Sequence, residues 1–351
     1  MQDKLIIFSF TENGSRQSAM LQKQFLAQGH DCESYAVARF AKQYQLEELP
    51  ANLSQWIGGI WGQAAFLFIG AAGIAIRYIS PWVRDKYTDS AVLSMDEEGR
   101  FVIPLLSGHV GGAVALARQI AAFAGAVPVI TTATDVQGKF AVDVFAVQNQ
   151  LHISDRELAR LVSAALLEGR EIGFYSQYPV RGNLPEGLRP CPSPTELEGY
   201  PVGIAITDEG SKVPEHILWL APQNLVIGIG CRRGLECHKL QLELEFMLRQ
   251  SGLSQVQAAV FASIDLKKDE AGILELAEKY RVPFITYQAE ELREITAVSS
   301  ASEFVEKVTG VDNVCERAAK KYCPDGELLL PKQKMTGATF AVIRKNTIIH
   351  F

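Results

Sequence analysis

The chain has 351 residues, 48% of them hydrophobic and 21% charged, and its formal net charge is -6. That length exceeds what one hydrophobic core usually fills, and the acidic balance argues against nucleic acid as a partner, because phosphate backbones are held by excess Lys and Arg. The start, Met1-Gln2-Asp3-Lys4, leads straight into Leu5-Ile6-Ile7-Phe8, no apolar run reaches membrane-spanning length, and the six cysteines form no C-x-x-C pair, so a cytoplasmic protein with no membrane segment and no disulfide framework is expected.

Leu5-Ile6-Ile7-Phe8-Ser9-Phe10 reads as a buried strand, and Gly14-Ser15 precedes a helical pattern reaching Leu26. Phe66-Leu67-Phe68-Ile69 is a second such strand, ending at Gly70. Strands apolar on both faces that alternate with helices indicate a parallel sheet covered on both sides. An Ala- and Leu-rich helix is expected over 113–124, with Gly125 ending it and Pro128-Val129-Ile130 opening the next strand. Further on the pattern weakens. Ser154 reads as the N-cap of a helix over 155–167 with Glu157 completing a capping box, 178–201 as a long Pro- and Gly-rich loop, and 203–206 and 217–220 as strands. A second α/β unit follows, with strands at 225–230, 256–262, 282–285 and 339–343 and helices at 235–248 and 269–280. The expected fold is α/β, with two parallel-sheet domains at 1–143 and 223–351 and a smaller middle module at 144–222.

Reactive and anion-binding residue types concentrate between Gly70 and Asp143. Ser107-Gly108-His109-Val110-Gly111-Gly112 precedes a helix whose unpaired N–H groups and dipole suit an anion, and it lacks the Gly-Lys-Ser/Thr ending of a nucleotide P-loop. His109 sits among small residues and reads either as an acid/base group or as a turn histidine. Arg77, Arg84, Asp85, Lys86 and Asp89 form either a solvated charged loop or a binding cluster. Thr131-Thr132-Ala133-Thr134-Asp135 ends a strand at what would be the ligand edge of a parallel sheet, and Asp135 and Asp143 either serve chemistry or cap turns. In the last domain Gly228-Ile229-Gly230-Cys231-Arg232-Arg233-Gly234 misses the G-x-G-x-x-G spacing of dinucleotide folds, so it reads as a turn that offers N–H groups and two arginines to a carboxylate. Pro331-Lys332-Gln333-Lys334 reads as a short basic turn, either surface or a second anion contact. Cys231, Cys237 and His238 are too few and too irregular for a zinc site.

In their order these motifs resemble the cobalt-precorrin-5A hydrolase (CbiG) family of cobalamin biosynthesis. Gly70-Ala71-Ala72-Gly73-Ile74-Ala75-Ile76-Arg77, Asp85-Lys86-Tyr87-Thr88-Asp89, the Ser107 and Thr131 segments, Ala141-Val142-Asp143, the Gly228 segment, Ala262-Ser263-Ile264-Asp265-Leu266-Lys267, Val314-Cys315-Glu316 and Leu330-Pro331-Lys332-Gln333-Lys334 carry the resemblance. It implies an enzyme that opens the δ-lactone of cobalt-precorrin-5A and expels acetaldehyde to give cobalt-precorrin-5B, with no protein-bound cofactor because cobalt arrives inside the substrate. The implied partner is that tetrapyrrole, with transient handover to other enzymes of the pathway. Residue type and loop position then nominate His109, Asp135, Asp143 and Asp89 for catalysis. The substrate carboxylates fall to Arg77, Arg84, Lys86, Ser107, Gly108, Gly111, Gly112, Thr131, Thr132, Thr134, Arg232, Arg233, Lys332 and Lys334. Alternatives are a corrinoid carrier without chemistry and a hydrolase of another anionic lactone.

Overall fold

The structure is a computed structural model and describes residues 4–85, 88–108, 111–132, 140–296, 298–302, 306–307 and 309–351. The chain forms two compact units, Met1–Val144 and Phe145–Phe351. Among the described residues no helix is long and apolar enough to cross a membrane.

In the first unit, β1 (Lys4–Ser9), β2 (Asp31–Ala36), β3 (Glu47–Glu48), β4 (Ala65–Ile69), β5 (Val92–Met95), β6 (Phe101–Leu106) and β7 (Val127–Pro128) make one sheet in the order β3-β2-β1-β4-β5-β6-β7. The helices are α1 (Glu12–Ala27), α2 (Ala38–Tyr44), α3 (Leu53–Gly59), α4 (Ala72–Ile79) and α5 (Ala113–Ala124). Strand β1 explains its own lack of alternation, since both its faces are covered. Leu5 and Ile7 pack with Leu21, Phe25, Ala117 and Ile120 on one side, while Ile6 and Phe8 pack with Leu53, Ile57, Ala75 and Ile79 on the other. Helix α1 begins at Glu12, ahead of the Gly14-Ser15 start read from sequence, because the Thr11 hydroxyl accepts the Gly14 N–H at 3.1 Å as an N-cap.

The sheet is parallel from β3 to β5, but β6 pairs antiparallel with β5 and β7 runs parallel to β6. Leu106, the last residue of β6, therefore lies opposite Val92, the first of β5. This reversal places the segment after β6 at the amino ends of the parallel strands, across the sheet from Gly70 and the start of α4. The expectation that Thr131 and Thr132 stand at the carboxyl edge of a parallel sheet is corrected accordingly: they follow β7, which runs with β6.

The second unit holds two five-stranded sheets. The first, in the order β11-β9-β12-β13-β8, comprises β8 (Leu151–Ile153), β9 (Ile172–Ser176), β11 (Leu188–Pro190), β12 (Gly203–Ile206) and β13 (Leu218–Pro222), after α6 (Val142–Gln148) and with α7 (Arg156–Leu167). The second, β16-β15-β14-β18-β17, comprises β14 (Leu225–Cys231), β15 (Ala258–Ile264), β16 (Phe284–Tyr287), β17 (Glu327–Lys334) and β18 (Ala338–Arg344), with α8 (Cys237–Gln250), α9 (Ala271–Tyr280), α10 (Ala289–Arg293) and α11 (Val314–Tyr322). Strands β10 (Val180–Arg181) and β19 (Ile349–His350) pair with each other, returning the chain end to the middle module, where Phe351 stacks on Phe145 at 4.6 Å. Asp208, 4% exposed, fastens the two sheets by accepting from the Tyr178 hydroxyl, from Gln257 Nε2 at 3.3 Å and from the Arg344 guanidinium.

Three local expectations change. Asp155, not Ser154, caps α7, because its carboxylate reaches the N–H groups of both Glu157 (2.7 Å) and Leu158 (2.9 Å). The 178–201 stretch is not one loop, since β10, β11 and a 3-10 turn at Pro194–Gly199 occupy it. Lys332 and Lys334 belong to edge strand β17, where a register irregularity between Leu330 and Gln333 accommodates Pro331.

Candidate functional site

At the amino edge of the first sheet a single carboxylate organises three segments. Asp89, 4% exposed, accepts from the backbone N–H of Arg84 at 2.8 Å and of Asp85 at 3.0 Å on one oxygen, and from the indole N–H of Trp61 at 3.1 Å on the other. Its own carbonyl accepts the Ser107 hydroxyl at 3.0 Å, and the neighbouring Ser90 hydroxyl accepts the Gly62 N–H at 2.9 Å. Residues 61–62, 84–85, 89–90 and 107 are thereby tied together. Donors occupy both oxygens of Asp89, so this side chain holds the loop's shape.

Ser107 has φ 55°, a left-handed conformation that turns the chain sharply after β6. Gly111 folds back against it, and a Cβ there would sit 2.4 Å from the Ser107 Cβ, while Gly112 has φ 85°. The turn closes on α5, with the Ala113 N–H donating to the Ser107 carbonyl at 3.2 Å and the Val114 N–H to the Gly108 carbonyl at 2.9 Å. The loop's own carbonyls thus take two N–H groups of the first turn, beside the anion cradle expected at Ser107, Gly108, Gly111 and Gly112. Thr132 stands beside it, its hydroxyl 3.8 Å from where a Cβ on Gly108 would lie, and Thr131 is exposed.

Arg77 and Arg84 are exposed on α4 and on the loop after it, in a stretch that also exposes Ile74, Ile76 (53%) and Val83. Asp143 lies in the first turn of α6, half-buried, with its carboxylate accepting the Val144 N–H at 3.0 Å. Lys86, His109, Thr134 and Asp135 lie outside the described residues.

The second unit carries a basic edge of its own. Gly230 pairs with Thr339 and Thr339 with Lys334, so the end of β14, with Arg232 and Arg233 just beyond it, and the end of β17 flank the start of β18. Arg232, Arg233 and Lys334 are exposed and Lys332 is half-buried. The glycines of this segment serve packing. A Cβ on Gly228 would fall 1.8 Å from the Cys315 carbonyl oxygen of α11, and one on Gly230 would fall 2.6 Å from the Thr339 hydroxyl.

Two acids to which the sequence assigns no role fix this edge. Glu270, 9% exposed, accepts the Gly234 N–H at 2.6 Å and pairs with the Lys267 ammonium at 2.8 Å. Burial alone would raise its carboxyl, but Lys267 and the Gly234 N–H bring it below its ordinary value. Glu316, wholly buried, accepts from the Ser299 N–H (2.9 Å) and hydroxyl (2.6 Å), from Asn313 Nδ2 (3.1 Å) and from the Lys332 N–H (3.4 Å), with the Lys320 ammonium at 3.4 Å. Burial again pushes the group up and these donors outweigh it, leaving Glu316 lowered. A signal for Glu316 was readable: Asn313 and Glu316 stand at capping-box spacing, and Asn313 does cap α11 by accepting the Glu316 N–H at 3.1 Å.

Residues 55–135 match the family model for the cobalamin synthesis G N-terminal region, 140–222 that for the cobalamin biosynthesis central region, and 225–343 that for the cobalamin synthesis G C-terminus. A cobalt-precorrin-5A hydrolase of Salmonella typhimurium is 38% identical over 289 residues, 79% of this chain and 81% of the relative. A second protein of that name, from Priestia megaterium, is 33% identical over 329 residues, 88% of this chain and 87% of the relative. The crystal structure of a cobalamin biosynthesis protein G homolog from Sulfolobus solfataricus is 21% identical, covers 98% of each chain and gives a TM-score of 0.43.

Proposed function

This chain belongs to the cobalamin synthesis G family, and from that premise we propose that it hydrolyses cobalt-precorrin-5A, opening the δ-lactone and releasing acetaldehyde to give cobalt-precorrin-5B. The observation that carries the proposal is the succession of three family regions along the chain, together with 38% identity over four-fifths of a protein bearing that activity's name.

The chemistry asks little of a resident cofactor. Water adds to the lactone carbonyl, and its oxygen stays in the new carboxylate while the ring oxygen leaves on the meso carbon. That carbon then departs as the aldehyde, and the electron pair of the broken carbon-carbon bond passes into the conjugated macrocycle, which takes up a proton. Cobalt enters and leaves with the substrate. Proton transfers of this kind call for a group that titrates near neutrality, and His109 is our assignment, with Asp135 or Asp143 orienting it or the water.

An acetate- and propionate-bearing macrocycle presents an apolar disc with an anionic rim. In the first unit, exposed Ile76 and Val83 stand in the same stretch as Arg77 and Arg84 and suit both kinds of contact; in the second, the Arg232, Arg233, Lys332 and Lys334 edge suits the anionic rim, despite the negative total charge. We place the reaction in the cytoplasm, with handover of the product to the next enzyme of the pathway. The test is incubation of the purified chain with cobalt-precorrin-5A in the absence of oxygen and of added cofactor. One acetaldehyde per substrate is the expected result, and tight binding without acetaldehyde would mark a carrier instead.

A further inference from the structure

We propose that Asp89 and Trp61 are positioning residues for this reaction, acting together to set the backbone at Arg84, Asp85 and the Ser107 turn. The inference rests on the functional reading above and adds to it a device that contacts no substrate. Three N–H donors, from Trp61, Arg84 and Asp85, converge on one carboxylate that is 4% exposed, and the same residue's carbonyl holds the Ser107 hydroxyl. Ser107 sits at φ 55°, a conformation a non-glycine residue keeps only when its surroundings fix it. The hydroxyl bond to Asp89 and the helix-closing bond from Ala113 to the Ser107 carbonyl are the fixings the structure provides. Trp61 is itself anchored, stacked on Phe66 of β4 at 5.9 Å, so the sheet's core is carried through the indole and the carboxylate into both loops.

The arrangement makes a specific demand on chemistry. A carboxylate accepts on both oxygens, whereas an amide accepts on one and donates on the other. In Asp89→Asn the amide oxygen can satisfy the Arg84 and Asp85 N–H groups, and its NH2 then points at the indole N–H of Trp61, donor against donor. Trp61→Phe removes that opposing donor. The two substitutions must therefore couple, the second relieving part of the damage done by the first.

The experiment measures kcat, KM and the pH profile of acetaldehyde release for the parent, Asp89→Asn, Trp61→Phe and the double variant, alongside amide exchange at Arg84 and Asp85. Asp89→Asn is expected to lower kcat by on the order of tenfold to a hundredfold, the equivalent of one lost hydrogen bond to a charged acceptor, with a smaller change in KM and with the acid limb of the profile kept. The Arg84 and Asp85 amides are expected to exchange faster in Asp89→Asn than in the parent, because the new NH2 opposing the Trp61 indole N–H drives the side chain off them, and to slow again in the double variant. The double variant turns over faster than Asp89→Asn alone. Loss of the acid limb would make Asp89 the catalytic base and overturn the proposal, as would a double variant no better than the product of the two single effects. If Asp89→Asn does not fold, Trp61→Phe alone decides, because unchanged kcat and unchanged amide exchange in it would sink the idea. If the parent itself releases no acetaldehyde, the functional reading fails by itself, and amide exchange still reports whether the carboxylate holds the loop.

Discussion

Gly228→Ala separates two accounts of the glycine-rich turn in the second unit. If Gly228 exists to let a ligand approach the backbone, a methyl group should impair binding and leave stability alone. The structure puts something else there: the new Cβ would lie 1.8 Å from the Cys315 carbonyl oxygen and 2.6 Å from its carbon, where ordinary contact begins at 3.4 Å. The obstacle is the backbone of α11, with no rotamer to swing away, so the helix must retreat by roughly 1.6 Å from β14 or the strand must buckle. Val226, Val260, Ala319 and Ile343 form the buried layer beside that contact and would be pried apart with it. A cost of about 3 kcal/mol or more follows, at the upper end of overpacking penalties because neither side can yield locally. For a unit of this size that corresponds to a fall in Tm of roughly 6 to 12 °C, read by calorimetry or by near-ultraviolet circular dichroism on heating. A variant as stable as the parent, with binding weakened, would refute the packing account and return Gly228 to a ligand-binding role.

Gly111→Ala would bring a Cβ to 2.4 Å from the Ser107 Cβ, so the turn must open and kcat should fall by about tenfold or more with the sheet's stability little changed; stopped turnover assays and thermal melts check both. Glu316→Gln should cost roughly 2 to 4 kcal/mol at neutral pH by leaving buried donors facing an amide. Because the folded Glu316 carboxyl is lowered from 4.5, its stabilisation is complete above that value and is lost as pH falls through the lower folded value, so the gap between parent and variant in denaturant titrations should narrow as pH drops below about 4.5. Arg232→Ala with Lys334→Ala should raise KM by about tenfold while leaving kcat nearly unchanged, since the rim carboxylates keep their charge through the reaction, and added salt should mimic the effect in the parent.

Much of the architecture could be read from local patterns, because burial on both faces leaves an unmistakable mark on β1, β4 and β14. The direction of β6 could not, for an apolar run carries no arrow, and that one reversal moved the Ser107 and Thr131 segments to the opposite edge from Gly70. The basic residues were legible as charge and Glu316 by its spacing from Asn313, yet what the carboxylates of Asp89 and Glu270 hold was not. Asp89 stands in sequence among other loop charges, and the donor on its second oxygen, Trp61, lies 28 positions earlier in the chain, where no local pattern points to it. Ser154 lost the cap of α7 to Asp155 for a similar reason, since adjacent residues offered equivalent chemistry and the backbone decided between them.

The most direct test is a single turnover of cobalt-precorrin-5A by this protein in O2-free 18O-labelled water, with acetaldehyde trapped and the corrinoid product weighed by mass spectrometry. Hydrolysis at the lactone carbonyl predicts one acetaldehyde per substrate and one 18O atom retained in a product carboxylate. Acetaldehyde with no label in the corrinoid would contradict attack by water at that carbonyl, and a labelled or unlabelled corrinoid with no acetaldehyde would contradict the proposed reaction itself.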